Sequence, residues 1–342
     1  MNNFPEDTPE AHLHLVKSSP ATPLEANAET NTVAFEPSPE HHSAMAAGNT
    51  PEAEGRSFRS VLFDAPPPPP PERIPNLAHV GILILLGTLG LFCSILLARA
   101  AIAVHLFGVS TIAEAAGDIH YTLGTEGLLY LLTLAPCLLL FPHLWGKGFF
   151  DGLQWQAGAA WQRRRYLFGA AAACFILALF NGYLLPGPSD APIDKIFRMP
   201  GAAWGLFVFG VTFAPFFEEL AFRGFLLPAL STAFDWSAER ATGRHPHTLD
   251  RNGHPQWSMP AMIAASIFTS LLFALLHAEQ TGTTLHSLGP FLLLFCVSLV
   301  LCGIRLLLRS LAASVLVHAT YNFLLFSLMF LGTAGFRHLD KM

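Results

Sequence analysis

The sequence predicts an all-α protein: a polytopic bundle of about seven transmembrane helices behind a disordered, Pro-rich N-terminal tail. Three observations predict it. Of 342 residues, 52% are hydrophobic and only 13% charged, about half the charged share of an ordinary soluble domain. The depletion is concentrated after residue 76, where apolar blocks of about 20 residues recur, the length that crosses a bilayer as a helix. Residues 1–75, by contrast, are rich in Pro, Glu, Ala, Ser and His with no long apolar run, a composition that buries too little surface to fold.

Within the tail, Pro66 to Pro71 form a stiff polyproline spacer just before the membrane. Phe58 to Phe63 is a short apolar patch, read either as a partner contact or as an idle sticky segment of a disordered tail. The apolar blocks follow at Leu77–Ala98, Tyr121–Leu144, Tyr166–Leu185, Ala203–Leu230, Met259–His277, Ser287–Leu307 and Leu311–Leu331. Pro136 and Pro215 lie inside two of them and are expected to kink their helices. The organisation is therefore a tail (1–75), N-terminal transmembrane helices (76–199) and a second helical segment (200–332). No internal repeat is evident, which weighs against an inverted-repeat transporter. Cys93, Cys137, Cys174, Cys296 and Cys302 all lie in apolar blocks without a C-x-x-C spacing. They read as small buried hydrophobes rather than disulfides or zinc clusters.

Basic residues set the expected orientation. Lys147, Arg163, Arg164 and Arg165 lie in the loop 145–165, Arg240, Arg244 and Arg251 in the loop 231–258, and Arg305 and Arg309 at the short turn near residue 308. The loops 107–120 and 278–286 have no Lys or Arg. This alternation places the N-terminus in the cytoplasm of a multi-pass cell-membrane protein. Lys195 and Arg198 lie on the opposite side, offset by Asp190 and Asp194, and Arg99 snorkels at the outer end of the first span. The mild net charge of −5 argues against nucleic acid as a main partner.

Against this apolar background a few polar side chains stand out, because an ionisable group at membrane depth is costly unless it faces protein or water. Glu218 and Glu219 follow Phe216 and Phe217, with Arg223 just beyond. Glu219 and Arg223 are spaced i,i+4 and share a helix face, so they can pair. Glu218 is turned about 100° away and is free for another task. His277 closes an apolar run one turn after Phe273, and His318 and Asn322 are again i,i+4, the spacing that aims two polar groups into one cavity. Each has a blander reading: an ion pair reaching water at a helix end, an interfacial histidine, or an amide that glues two helices. Together they are a chemical set. Glu218, His277 and His318 can hold zinc with an open position for water, or activate water without metal, while Asn322 can donate to an oxyanion. Ser266 and Ser270 have no nucleophile-elbow context.

Convergence in depth is demanding. Glu218 lies roughly 18 Å above Leu230, and His318 and Asn322 roughly 11 and 17 Å above Leu311, but His277 lies roughly 27 Å above Met259. Meeting requires the first turns of that helix to lie in the interface, or the helix to tilt.

These residues resemble a known pattern. Glu218-Glu219-Leu-Ala-Phe-Arg223 resembles E-E-x-x-x-R, Phe273-Ala-Leu-Leu-His277 resembles F-x-x-x-H, and His318-Ala-Thr-Tyr-Asn322 resembles H-x-x-x-N/D. The three motifs are those of the CPBP family of intramembrane endopeptidases, relatives of type II CAAX prenyl endopeptidases and of bacteriocin-processing proteins. The resemblance spans about 200–330. It implies an all-helical fold with a cavity towards the cytoplasmic leaflet, and hydrolysis of a peptide or protein substrate at the bilayer surface. By the resemblance, Glu218 and His277 activate water, and Glu219 and Arg223 support them. His318 and Asn322 stabilise the oxyanion, or His318 helps hold a metal, zinc being the expected ion. Metal-dependent and metal-free hydrolysis both remain open.

Two other classes of function compete. A non-enzymatic immunity or scaffold protein of the same fold would depend on its tail and loops rather than on these side chains. A transporter would need a polar path open to each side in turn, yet the polar residues sit on three segments. The loop 231–258, with His245, His247 and His254, is read as a solvated connection rather than a second metal site.

Overall fold

Among the described residues seven helices are long and apolar enough to cross a membrane: α1 (Leu77–Ala103), α2 (Ile119–Trp145), α3 (Arg164–Leu184), α4 (Ala202–Thr242), α5 (Met259–Leu276), α6 (Leu288–Leu308) and α7 (Leu311–Gly332). The computed structural model describes residues 73–188, 191–199, 201–243 and 256–338, and these hold only helices and the turns between them. The tail to residue 72, with Phe58–Phe63 and Pro66–Pro71, lies outside the described residues, as do Asp190, Arg244, His245, His247, Arg251 and His254. Residues 73–75 belong to the folded part rather than the expected tail: Pro75 is buried, and Arg73 donates to Glu239 at 3.1 Å.

Local chemistry starts the helices. Asn76 caps α1 by accepting from the Ala78 and His79 N–H groups, and His79 accepts from the Asn76 N–H in return. Asp118 caps α2, Ser258 caps α5 and Ser310 caps α7. Gly146 and Gly243 end α2 and α4 in left-handed conformation. Helix α2 continues through Pro136 and Pro142.

The first and second helical segments share their cores. Leu167, Ala171 and Cys174 of α3 pack with Val297 and Leu301 of α6 and Ala313 and Val317 of α7. Cys137, Phe141 and Trp145 of α2 pack with Leu220 and Phe225 of α4 and with Leu311. Small side chains recur here because lipid gives helices no hydrophobic reason to associate, so contact depends on close approach. Cys137, Cys174 and Cys302 are buried as expected; Cys296 instead faces outward from the bundle.

Helix α4 departs most from expectation. It is interrupted at Thr212, three residues before Pro215, and its hydrogen bonding widens to a π turn over Leu220–Leu226. It then runs past Leu230 to Thr242, its last turns polar enough to leave the bilayer.

That extension resolves the depth problem. Asp235 accepts from the Ser258 N–H (3.0 Å) and hydroxyl (2.5 Å), and Trp257 Nε1 donates to Thr232 Oγ1 (3.0 Å). Helix α5 therefore starts level with Asp235 rather than with Leu230. Counting back along α4, Glu218 is about 25 Å from that clasp, and His277 is about 28 Å from it along α5. The first turns of α5 therefore lie beside the polar last turns of α4, one of the two arrangements that convergence was expected to require.

The loop after α2 also differs from the expected cytoplasmic connection. It carries short helices at Phe149–Gly152 and Ala157–Gln162, and Leu153 between them is fully buried. The Leu311 N–H donates to the Gln154 carbonyl (3.1 Å) and Ser310 Oγ to the Gln156 carbonyl (3.0 Å). Helix α7 thus starts from this inserted loop, level with Gly224, where an added Cβ would lie 3.3 Å from Leu311. From there His318 on α7 and Glu218 on α4 are each about 10 Å along their helices.

Asp235→Ala removes the acceptor that registers α5 on α4. Losing two hydrogen bonds to a charged group is expected to destabilise the protein by about 2–4 kcal/mol, read as a lowered Tm in detergent. An unchanged Tm would mean that the clasp does not set the register.

Candidate active site

Glu218 and Glu219 sit where α4 passes from α-helix into its π turn. π turns recur at functional sites because the extra residue re-aims the side chains around it. Glu219 and Arg223 are both completely buried, and Arg223 Nη1 donates to Glu219 Oε1 at 2.8 Å. Arg223 Nη2 donates to Ser298 Oγ (2.6 Å) and to the Ser298 carbonyl (3.1 Å) on α6. The guanidinium carbon stands 4.7 Å from the Phe273 ring centroid on α5, a cation–π contact strengthened by exclusion of water.

Two histidines complete the cluster. His318 Nδ1 donates to Glu219 Oε1 at 2.9 Å; an ionised carboxylate only accepts, which puts the proton on Nδ1. His277 Nδ1 donates to the Phe273 carbonyl at 2.8 Å. In the neutral rings both Nε2 atoms then carry lone pairs. Both face one oxygen: Glu218 Oε2 is 3.9 Å from His277 Nε2 and 3.8 Å from His318 Nε2. The Phe273 ring lies against both imidazoles, with centroids 4.4 Å from His277 and 6.1 Å from His318. The side chains of Glu218 and His277 are 21% and 17% exposed, against 7% for His318 and none for Glu219. Accessibility therefore falls from Glu218 inward to the ion pair.

Of the six expected residues, the structure brings Glu218, Glu219, Arg223, His277 and His318 into one cluster. Asn322 lies one turn beyond His318 and donates to the Gly210 carbonyl at 2.8 Å, the helix-joining contact that its amide chemistry also allowed. Gly210 permits that approach, since a Cβ there would stand 2.9 Å from Phe326 of α7.

The donor set suits zinc in kind but not in spacing. Ligands at about 2.0–2.1 Å around a tetrahedral ion lie about 3.3–3.4 Å apart, and the two gaps here are 3.9 and 3.8 Å. Among the described residues no group of three His, Cys, Asp or Glu is arranged to hold a metal ion. Two hydrogen bonds of about 2.8 Å at a tetrahedral water oxygen hold their partners about 4.5 Å apart, so the observed gaps lie between the two spacings.

Sequence reasoning missed two neighbours. Glu126 on α2 accepts from the Tyr130 hydroxyl at 2.9 Å, and the Tyr130 ring stacks on Phe217, next to Glu218, at 4.5 Å. Glu126 lies within electrostatic range of Glu218. The signal was present, because Glu126 is an acid inside an apolar block and meets the rule that singled out Glu218.

Residues 200–324 match the family model described as type II CAAX prenyl endopeptidase Rce1-like. The chain carries an Rce1-like domain. The match runs from the start of α4 through most of α7 and contains all three motifs, in a family of proteases. No curated protein and no solved structure matches the chain. The seven apolar helices and the Rce1-like domain together indicate a multi-pass membrane protein.

Arg223→Leu would leave the Glu219 carboxylate buried and uncompensated. The expected cost is about 3–5 kcal/mol, seen as loss of folded protein from the membrane fraction. Pairing it with Glu219→Leu should restore accumulation. Equal loss in both variants would show that charge pairing is not what holds the site.

Proposed function

We propose that the protein is an intramembrane endopeptidase in which Glu218 and His277 hold and deprotonate a water that attacks a peptide carbonyl near the membrane surface. One observation carries this reading: a carboxylate oxygen and two imidazole lone pairs converge at the accessible edge of the cluster, and a water there has two O–H groups to donate, to Glu218 and to His277. Glu218 is the general base, and it is free to act because Glu219 alone is tied to Arg223.

His318 serves the second half of the reaction. Glu219 holds its Nδ1–H as a buried carboxylate orients the histidine of a serine-protease triad. The proton taken from water passes to His318 Nε2 and is delivered to the leaving amine as the C–N bond breaks. In its protonated form, His318 also faces the tetrahedral oxyanion with an N–H. The Asn322 amide has a second N–H beyond the one given to Gly210, and it assists there. Exclusion of bulk water strengthens both interactions. Glu219 and Arg223 touch no substrate and act as positioning residues.

The substrate is a peptide or protein segment lying at the bilayer surface, reached from the cytoplasmic side. Lys147 and Arg163 to Arg165 between α2 and α3, with Arg240 near the end of α4, support that side. The CAAX prenyl specificity in the family's description supplies the first probe.

The test uses full-length protein in lipid nanodiscs with a quenched prenylated CAAX-type peptide, followed by a search for new peptide termini in membrane fractions. Glu218→Gln and His277→Ala should each lower turnover about 10²–10⁴-fold, as removal of a general base does, while leaving the protein folded. Wild-type turnover in Glu218→Gln would rule out this mechanism. Loss of the cellular phenotype only on changing tail or loops would favour a scaffold. Strong chelation is expected to leave turnover unchanged, whereas reversible loss restored by zinc would instead make Glu218, His277 and His318 metal ligands.

A further inference from the structure

Arg305 stands near the end of α6, where its position reads as an ordinary loop-side cation, yet it is only 3% exposed. All three of its hydrogen bonds go to neutral oxygens. Nε donates to the Arg223 carbonyl (3.2 Å), Nη1 to Gln154 Oε1 (2.9 Å) and Nη2 to the Leu153 carbonyl (3.2 Å). Unlike Arg223, it therefore gains no carboxylate among the described residues to offset burial, which is costly for an ion.

Helix α4 supplies the reason. In its π turn the Leu227 N–H bonds the Phe222 carbonyl, five residues back, rather than that of Arg223. The next donor along the chain would be residue 228, which is proline and has no N–H. The Arg223 carbonyl thus loses both of its ordinary helical donors, at the residue whose side chain holds Glu219. A buried carbonyl without a partner is costly, and Arg305 Nε–H fills that place. The rest of the fork ties the same point to the inserted loop. Gln154 adopts φ +56° and presents its side chain to Arg305, while its carbonyl accepts the Leu311 N–H that starts α7. One cation so joins the helix of Glu218 to the loop under it, and Gln154 of that loop carries the connection on to the helix of His318.

We propose that Arg305 is a positioning residue for hydrolysis: it substitutes for the donor missing at Pro228 and thereby fixes the angle at which Glu218 faces His318. It touches neither substrate nor reacting atoms. The proposal rests on the Glu218-centred reading above. It also explains why an arginine, with a planar fork of donors, is used where a lysine would supply charge alone.

Hydrogen exchange and turnover of the full-length protein in nanodiscs test it, with Arg305→Gln, Arg305→Lys and Gln154→Gly. Gln154→Gly removes one arm at a left-handed position that glycine adopts freely, so it is expected to fold even if Arg305→Gln does not. Arg305→Gln should speed exchange about tenfold or more in peptides covering 220–230 and 149–156, leaving α1 unchanged. It should lower kcat about 10–100-fold on the prenylated peptide at nearly constant KM, as a slight misplacement of a base does. Arg305→Lys should recover only part of kcat, and Gln154→Gly should move the same amides less. Unchanged exchange over 220–230, an equal rise in every helix, or full recovery by lysine would overturn the proposal. Wild-type turnover in Glu218→Gln would instead defeat the reading of the site, while local exchange would still report whether Arg305 holds the turn.

Discussion

The ion pair between Glu219 and Arg223 is the constraint around which the bundle is organised. Neither side chain reaches solvent, so each depends on its partners for the hydration it has lost. A buried pair repays its desolvation only with good geometry and further hydrogen bonds. Here hydrogen bonds come from Ser298 on α6 and His318 on α7 and a cation–π contact from Phe273 on α5, while Glu219 Oε2 and Arg223 Nε have no hydrogen-bond partner among the described residues. The contacts of one arginine and one glutamate therefore fix four helices at a single level. The same contacts leave Glu218, the residue before Glu219, facing His277 and His318 and turned towards the accessible side.

The second organising feature is irregular backbone. Non-helical segments at membrane depth persist only when buried in protein or lining a wet cavity, and the loop at Leu153–Gln156 is of the first kind. It seats the first turn of α7 and lies under Gly224, where Leu153 and Leu311 meet. The π turn above it widens α4 where two carboxylates must diverge, one to the ion pair and one to the histidines. The interruption at Thr212 and the missing N–H of Pro228 bracket that stretch.

Much of this was legible in the sequence. Burying seven helices in lipid demands seven apolar blocks, and all seven were visible. The i,i+4 spacing of Glu219 and Arg223 dictated their pairing, because one helical turn brings them together whatever surrounds them. Long-range partners were not legible. Nothing local says that His318 meets Glu219 across 99 positions, or that Arg223 finds Ser298. Helix ends were also obscure: α4 runs to Thr242 because its last turns pack on Ser258 and Trp257, a tertiary gain that composition does not show. Arg305 was misread for a related reason. A cation near a helix end ordinarily marks the cytoplasmic side, and only the orphaned carbonyl of Arg223 reveals why this one is inside. Glu126 stands outside the three motifs, although an acid half-buried in an apolar helix follows the same logic as Glu218.

The site is thus a graded arrangement, with a dry ion pair at the back, histidines oriented by their Nδ1 protons, and Glu218 at the accessible edge. Its chemistry depends on the two Nε2 lone pairs pointing at that carboxylate. Nitrogen-15 NMR of histidine-labelled protein in nanodiscs, assigned by difference against His277→Gln and His318→Gln, measures this directly at neutral pH in the absence of substrate. Resonances of a protonated Nδ1 and an unprotonated Nε2 are expected for both rings. The opposite tautomer in either ring would place a proton where the attacking water must be held, and would contradict hydrolysis at this site.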